Sequence, residues 1–176
     1  MKIARNLHLL VLGLLLSLAG ATVSAQTTTV IKFSLVAESD TPKAKAAQRF
    51  KEIVEQSSQR RIRVDVYPNN LLYKETDELE ALQLGAIQMA APTMSRLSQF
   101  GIQEFEVFDL PFLFRDRTMV ARVTDGPIGK AMLKKVENKG MVGLAYWNNG
   151  FKVMTGNRPL RMPADFFGMK MRIYPS

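Results

Sequence analysis

The chain has 176 residues, no cysteine, one histidine and a formal charge of +8 at neutral pH. That length suits one domain or one and a fraction, and an apolar share of 47% is enough for a sizeable core. Without cysteine no disulfide can form, and the basic residues, densest at Arg60, Arg61 and Arg63, make no continuous stripe of the kind a nucleic-acid binder presents.

Lys2 and Arg5 precede an almost unbroken apolar run, LLVLGLLLSL (residues 9–18), and Val23-Ser24-Ala25 offers a small-residue cleavage site before Gln26. This order predicts a secretory signal peptide over residues 1–25, with an apolar run too short to span a bilayer comfortably. The single histidine, His8, lies inside it. The remaining sequence therefore holds neither histidine nor cysteine, which excludes Ser–His and Cys–His nucleophilic pairs and the common zinc ligand sets. No GxGxxG follows the first strand and no GxxxxGK[ST] occurs, so neither a cofactor nor a metal is expected. An exported chain so equipped is expected to bind and not to catalyse.

Residues 30–36 (VIKFSLV) read as a strand from their β-branched and aromatic content. Asp40-Thr41-Pro42 then marks a helix start, with Asp or Thr capping and Pro at the first helical position. That helix should run to about Gln56, with Ala46, Ala47, Phe50, Ile53 and Val54 on its buried face. Residues 62–67 (IRVDVY) alternate cleanly as a strand, and Pro68-Asn69-Asn70 breaks it. Residues 75–84 read as a helix with acidic residues in the first turn, suited to the positive end of its dipole. Glu78 and Glu80 on this helix read as surface charges. A short apolar strand is expected over residues 87–91.

Strand, helix, strand, helix, strand implies a parallel α/β sheet with right-handed crossovers. Residues 92–101 read as a loop or short helix. The run FEVFDLPFLF (residues 105–114) reads as a plug of the core, with a ligand wall as the lesser alternative. Helices are expected over residues 116–123 and 127–138, the second burying Ile128, Met132 and Val136. A fourth major strand is expected over residues 141–147, followed by two short strands over residues 151–154 and 169–173. Asn148-Asn149-Gly150 is the expected boundary, since Asn and Gly tolerate unusual backbone angles. In the last strand Arg172 shares a face with Lys170 and Tyr174. That face is either solvated or turned to a cleft, where a guanidinium holds a carboxylate with two parallel hydrogen bonds.

Six segments in register, KFSLVAESDTPKAKAAQRFKE, RIRVDVYPNNLLY, ELEALQLGAIQMAAP, FEVFDLPFLF, GLAYWNNGFK and NRPLRMPADFFGMKMRI, carry a likeness to a family. The chain resembles the periplasmic solute-binding receptors of tripartite ATP-independent (TRAP) transporters, in the branch associated with C4-dicarboxylates. The resemblance implies an α/β, periplasmic-binding-protein-like, two-lobed fold that closes over a small organic anion and delivers it to integral-membrane permease subunits. It implies a periplasmic location and places the ligand-carboxylate arginine at Arg172. Lys152 matches a second position that is basic in some members. Lys43, Glu75 and Thr93 fall on segments lining the first-lobe side of the cleft, and Trp147 and Asn149 fall on the crossing.

On this reading residues 26–148 form the first lobe, mostly present, and residues 149–176 form the hinge crossing and the start of an incomplete second lobe. Family members are far longer, so the sequence is either a part of a longer chain or a truncated product, and only the truncated product is expected to dissolve poorly and capture ligand weakly or not at all. Three other functions stay open at this point: a non-functional truncated receptor, a ligand sensor not coupled to transport, and an exported enzyme acting on small acids through carboxylates.

Overall fold

The computed structural model describes residues 27–171. Residues 1–25, expected to be a signal peptide, and Arg172 lie outside the described residues. Three parallel strands form the sheet: β1 (Thr29–Ser34), β2 (Ile62–Tyr67) and β3 (Met89–Ala90), in the order β2-β1-β3. Thr29 pairs with Ile62 and Ser34 with Tyr67 along β1–β2, and Phe33 and Ser34 pair with Met89 and Ala90 along β1–β3. β1 is therefore central. The chain leaves it to one side for β2 and returns past it to β3. In open α/β sheets such a reversal opens a crevice beyond the carboxyl ends of the strands, where ligands sit.

Helix α1 (Pro42–Ser57) carries the chain from β1 to β2 and starts as its sequence demands. The Thr41 hydroxyl accepts a hydrogen bond from the Ala44 amide at 3.3 Å, and Pro42 occupies the first turn, where an amide would go unused. Its buried contacts are Ala44 and Ala47, with Phe50 and Val54 packed behind them. Ala46 and Ile53 are exposed, so the buried stripe is narrower than the sequence suggested. Phe33, Leu35, Ala47 and Val64 form the first core cluster.

Helix α2 (Glu78–Gln83) begins three residues later than expected. β3 is shortened to two residues. Short 3-10 turns then run over Met94–Phe100 and Gln103–Asp109, followed by α3 (Arg117–Asp125) and α4 (Pro127–Glu137). Asp116 caps α3 by accepting from the Met119 amide at 2.8 Å. A second cluster joins Leu79, Leu97, Ile102, Phe105, Met132, Val136 and Met141. Ile128 is exposed instead, because α4 turns Gly129 toward α3.

Gly129 is tight enough to predict from. A Cβ there would stand 2.2 Å from the Thr124 carbonyl oxygen, and that atom belongs to the backbone and cannot rotate away. Overpacking of this kind costs roughly 1–3 kcal/mol, occasionally more. Gly129→Ala should lower the urea midpoint accordingly, and an unchanged midpoint would show that α3 and α4 slide freely.

The expected strands over residues 141–147 and 151–154 do not form, and residues 169–171 are likewise outside any strand. Their side chains have the right composition, but a strand also needs a neighbour for its backbone amides and carbonyls. Among the described residues these segments find none. Val142, Leu144, Val153 and Met154 stand exposed as a result.

Candidate functional site

Tyr146 and Trp147 are consecutive residues anchored in different cores. Trp147 packs on Phe33 of β1 with ring centroids 5.8 Å apart. Tyr146 packs against Phe105 and Phe108, and its hydroxyl donates to the Gly129 carbonyl at 2.8 Å. Between these anchors and the segment leaving β3 opens a cavity of about 430 Å³. Thr93 lines it from the end of β3, Phe108 and Asp109 from the 3-10 turn, Thr124 from α3, and Trp147, Asn149 and Lys152 from the crossing. This is within the size range of small-molecule sites, about 300–1,000 Å³.

The crossing is shaped by a local turn. The Asn148 side-chain oxygen accepts from the Gly150 amide at 2.7 Å, and Gly150 adopts φ +88°, the left-handed region that glycine enters at least cost. The turn brings the Lys152 ammonium to Asp109 Oδ1 at 2.8 Å. Partial burial pushes the Asp109 carboxyl up. The Lys152 ammonium and the nearby Ser95 hydroxyl outweigh that and hold it below the ordinary carboxylate range. The cavity rim thus carries an ion pair, and the other Asp109 oxygen is buried without a hydrogen-bond partner among the described residues.

Lys43 and Glu75 do not line this cavity. They belong to a second polar cluster at the same edge of the sheet. Glu75 accepts from the Arg96 guanidinium at 3.5 Å, both side chains being almost fully buried. Arg96 lies three residues beyond Thr93, which connects the two regions. Lys43 stands in the first turn of α1, where burial lowers its pKa and the Glu78 and Glu75 carboxylates draw it partly back.

Glu78 corrects the sequence reading outright. It is not a surface charge but wholly buried, with neither carboxyl oxygen hydrogen-bonded among the described residues. The late start of α2 puts it in the first turn with Leu79 and Ala81, both also buried, while Glu80 stays exposed. Burial pushes the Glu78 carboxyl up to about 7, against the opposing pull of the Ser34 hydroxyl and the Lys43 ammonium, and with a further push from Glu75.

Four expected site residues, Thr93, Trp147, Asn149 and Lys152, therefore meet at one cavity, and two, Lys43 and Glu75, meet at the adjoining cluster. Sequence reasoning missed Asp109, Arg96 and Glu78. Asp109 had left a signal, since a carboxylate set between apolar neighbours in FEVFDLPFLF needs a partner. That run is also divided in role. Phe105 is core, Phe108 and Phe114 stack at 5.6 Å in the cavity wall, and Phe112 is 99% exposed.

A concave site with an ammonium, an amide, a hydroxyl and an indole around it, at the carboxyl edge of a parallel sheet, has the size and chemistry to take a small molecule. The chain belongs to the bacterial extracellular solute-binding protein family 7, whose profile matches residues 33–176. It is 51% identical over 98% of its length to the C4-dicarboxylate-binding periplasmic protein DctP of Rhodobacter capsulatus, covering 52% of that protein. Among solved structures, a TRAP periplasmic solute-binding protein from Pseudomonas aeruginosa with bound L-malate matches at 40% identity and a TM-score of 0.75, over 80% of this chain and 48% of that one. One from Shewanella oneidensis with bound succinate matches at 43% identity and a TM-score of 0.74, over 78% of this chain and 45% of that one. The chain spans about half the length of these relatives.

Proposed function

We propose that the protein is an extracytoplasmic receptor that captures a small dicarboxylate in the periplasm and hands it to a TRAP-type membrane permease. The observation that carries this reading is the cavity itself: a cation, Lys152, held at its rim by Asp109, with Thr93, Asn149 and Trp147 completing a wall that suits a short polar anion. Relatives named for C4-dicarboxylates, and neighbours holding L-malate and succinate, support the ligand class. Arg172 takes one ligand carboxylate through its planar fork. Lys43 supplies positive charge toward the other, with Glu75 fixing the polar edge between them. Residues 1–25 serve as the export signal, residues 26–148 as the first lobe, and residues 149–176 as the crossing into the second.

A thermal-shift panel on the full chain tests the ligand class. Succinate and L-malate should raise the melting temperature in a saturable way, as ligands that bind only the folded state must. Galactonate and butyrate should raise it less. A larger rise with butyrate than with succinate would overturn the dicarboxylate assignment.

A further inference from the structure

The cavity wall is short of positive charge. Among the described residues that line it, Lys152 is the only lysine or arginine, while Asp109 and Asp125 each bring a carboxylate. That ammonium is already engaged, at 2.8 Å from Asp109 Oδ1. A ligand carboxylate entering the cavity therefore finds its cation held by a carboxylate of the protein. If the ammonium kept both, two negative charges would share one positive charge in a site partly closed to water, before Asp125 is counted. Like charges so close repel, and the repulsion grows where water is scarce.

The two members of the pair are held unequally. Asp109 ends the 3-10 turn Gln103–Asp109, which Phe105 fixes in the second core cluster and Phe108 ties to Tyr146. The Asp109 side chain is 21% exposed, and its second oxygen is buried. Lys152 stands on the crossing, outside any strand or helix, and its side chain is 68% exposed on a flexible stem. Displacement thus moves the lysine and leaves the aspartate in place. A pair so exposed is a weak one, and losing it costs an incoming ligand little. The buried Ser95 hydroxyl nearby still serves the aspartate once the ammonium has gone.

We propose that Asp109 is a built-in stand-in for the ligand's carboxylate: it holds the Lys152 ammonium at the cavity before capture, and a dicarboxylate binds by taking the ammonium from it. The proposal rests on the dicarboxylate-receptor reading. No covalent bond changes; one hydrogen-bonded ion pair is exchanged for another. Asp109 is on this account a positioning residue that sets affinity through Lys152. It keeps the cation aimed at the cavity, and it lowers affinity below what an uncontested ammonium gives. A receptor that hands its ligand on gains from both, since Asp109 reclaims the ammonium as the ligand leaves.

Calorimetry of the full chain with succinate tests the exchange, because a stand-in and a mere support for Lys152 predict opposite signs. Asp109→Asn keeps the shape and an oxygen to face the ammonium but removes the competing charge. It should bind succinate roughly two- to tenfold more tightly than the native chain. Lys152→Gln leaves the Asp109 carboxylate facing the ligand without that ammonium, and should bind about tenfold more weakly or worse. Adding Asp109→Asn to Lys152→Gln should recover part of that loss. A support that only steadied Lys152 would give weaker binding in Asp109→Asn and no recovery in the double variant.

A crystal structure of the native full chain with succinate gives a second readout that needs no variant. Lys152 Nζ should lie within hydrogen-bond distance of a succinate oxygen and more than about 4 Å from Asp109 Oδ1. Equal or weaker binding by Asp109→Asn at an unchanged melting temperature overturns the proposal and leaves the receptor reading intact. So does a complex in which the Lys152–Asp109 pair persists. Where Asp109→Asn lowers the melting temperature, the complex alone decides. No succinate binding by the native chain or by Asp109→Asn overturns the receptor reading and the exchange with it.

Discussion

Phe105→Ala should remove a large part of the stability of the lobe. Phe105 is 1% exposed at the centre of the second core cluster, between Leu79, Leu97, Ile102 and the α4 residues Met132 and Val136. Truncating a buried Phe costs roughly 3–5 kcal/mol, through lost transfer energy and the cavity left behind. Small domains hold only about 5–15 kcal/mol in total. The damage also reaches the site, because Phe105 and Phe108 both pack on Tyr146, the anchor from which the crossing departs. Urea denaturation should show a much lower midpoint with the slope unchanged, and succinate binding should weaken along with it. A midpoint within error of the native chain would mean that this cluster is not the core it looks to be.

Arg172→Lys should weaken dicarboxylate binding by on the order of a hundredfold or more. Hydrogen bonds to charged groups contribute roughly 1.5–3 kcal/mol each, and a guanidinium makes two in parallel with one carboxylate. Lysine keeps the charge but loses the fork, so retained charge should not rescue affinity. Affinity measured by calorimetry that stays within a few-fold of the native value would remove Arg172 from the site. Lys152 and Lys43 would then be the only proposed cations left to hold the ligand.

The sequence was most readable where local rules decide the outcome. Thr41-Pro42 capped α1 as expected, and residues 62–67 formed a strand with the expected bounds. It was least readable where a distant partner decides. Residues 141–147 have the side chains of a strand but no neighbour to pair with, and β3 narrowed to the two residues that reach β1. Glu78 shows the same limit in the site. Within ETDELEAL nothing separates it from Glu80, and only the docking of α2 against the sheet edge buries one and leaves the other in water. Thr93, Trp147, Asn149 and Lys152 were found through family likeness, and the structure brings them to one cavity. Asp109 left a signal in the sequence, but its pairing with Lys152 became visible only in three dimensions.

On the proposed function the charge of the ligand is what the protein reads, so the most direct measurement compares succinate with succinamide, its uncharged counterpart of similar shape. Calorimetric titration of the full chain should give saturable binding of one succinate per chain and no measurable binding of succinamide. Equal affinity for the two, or binding of succinamide alone, would contradict the account.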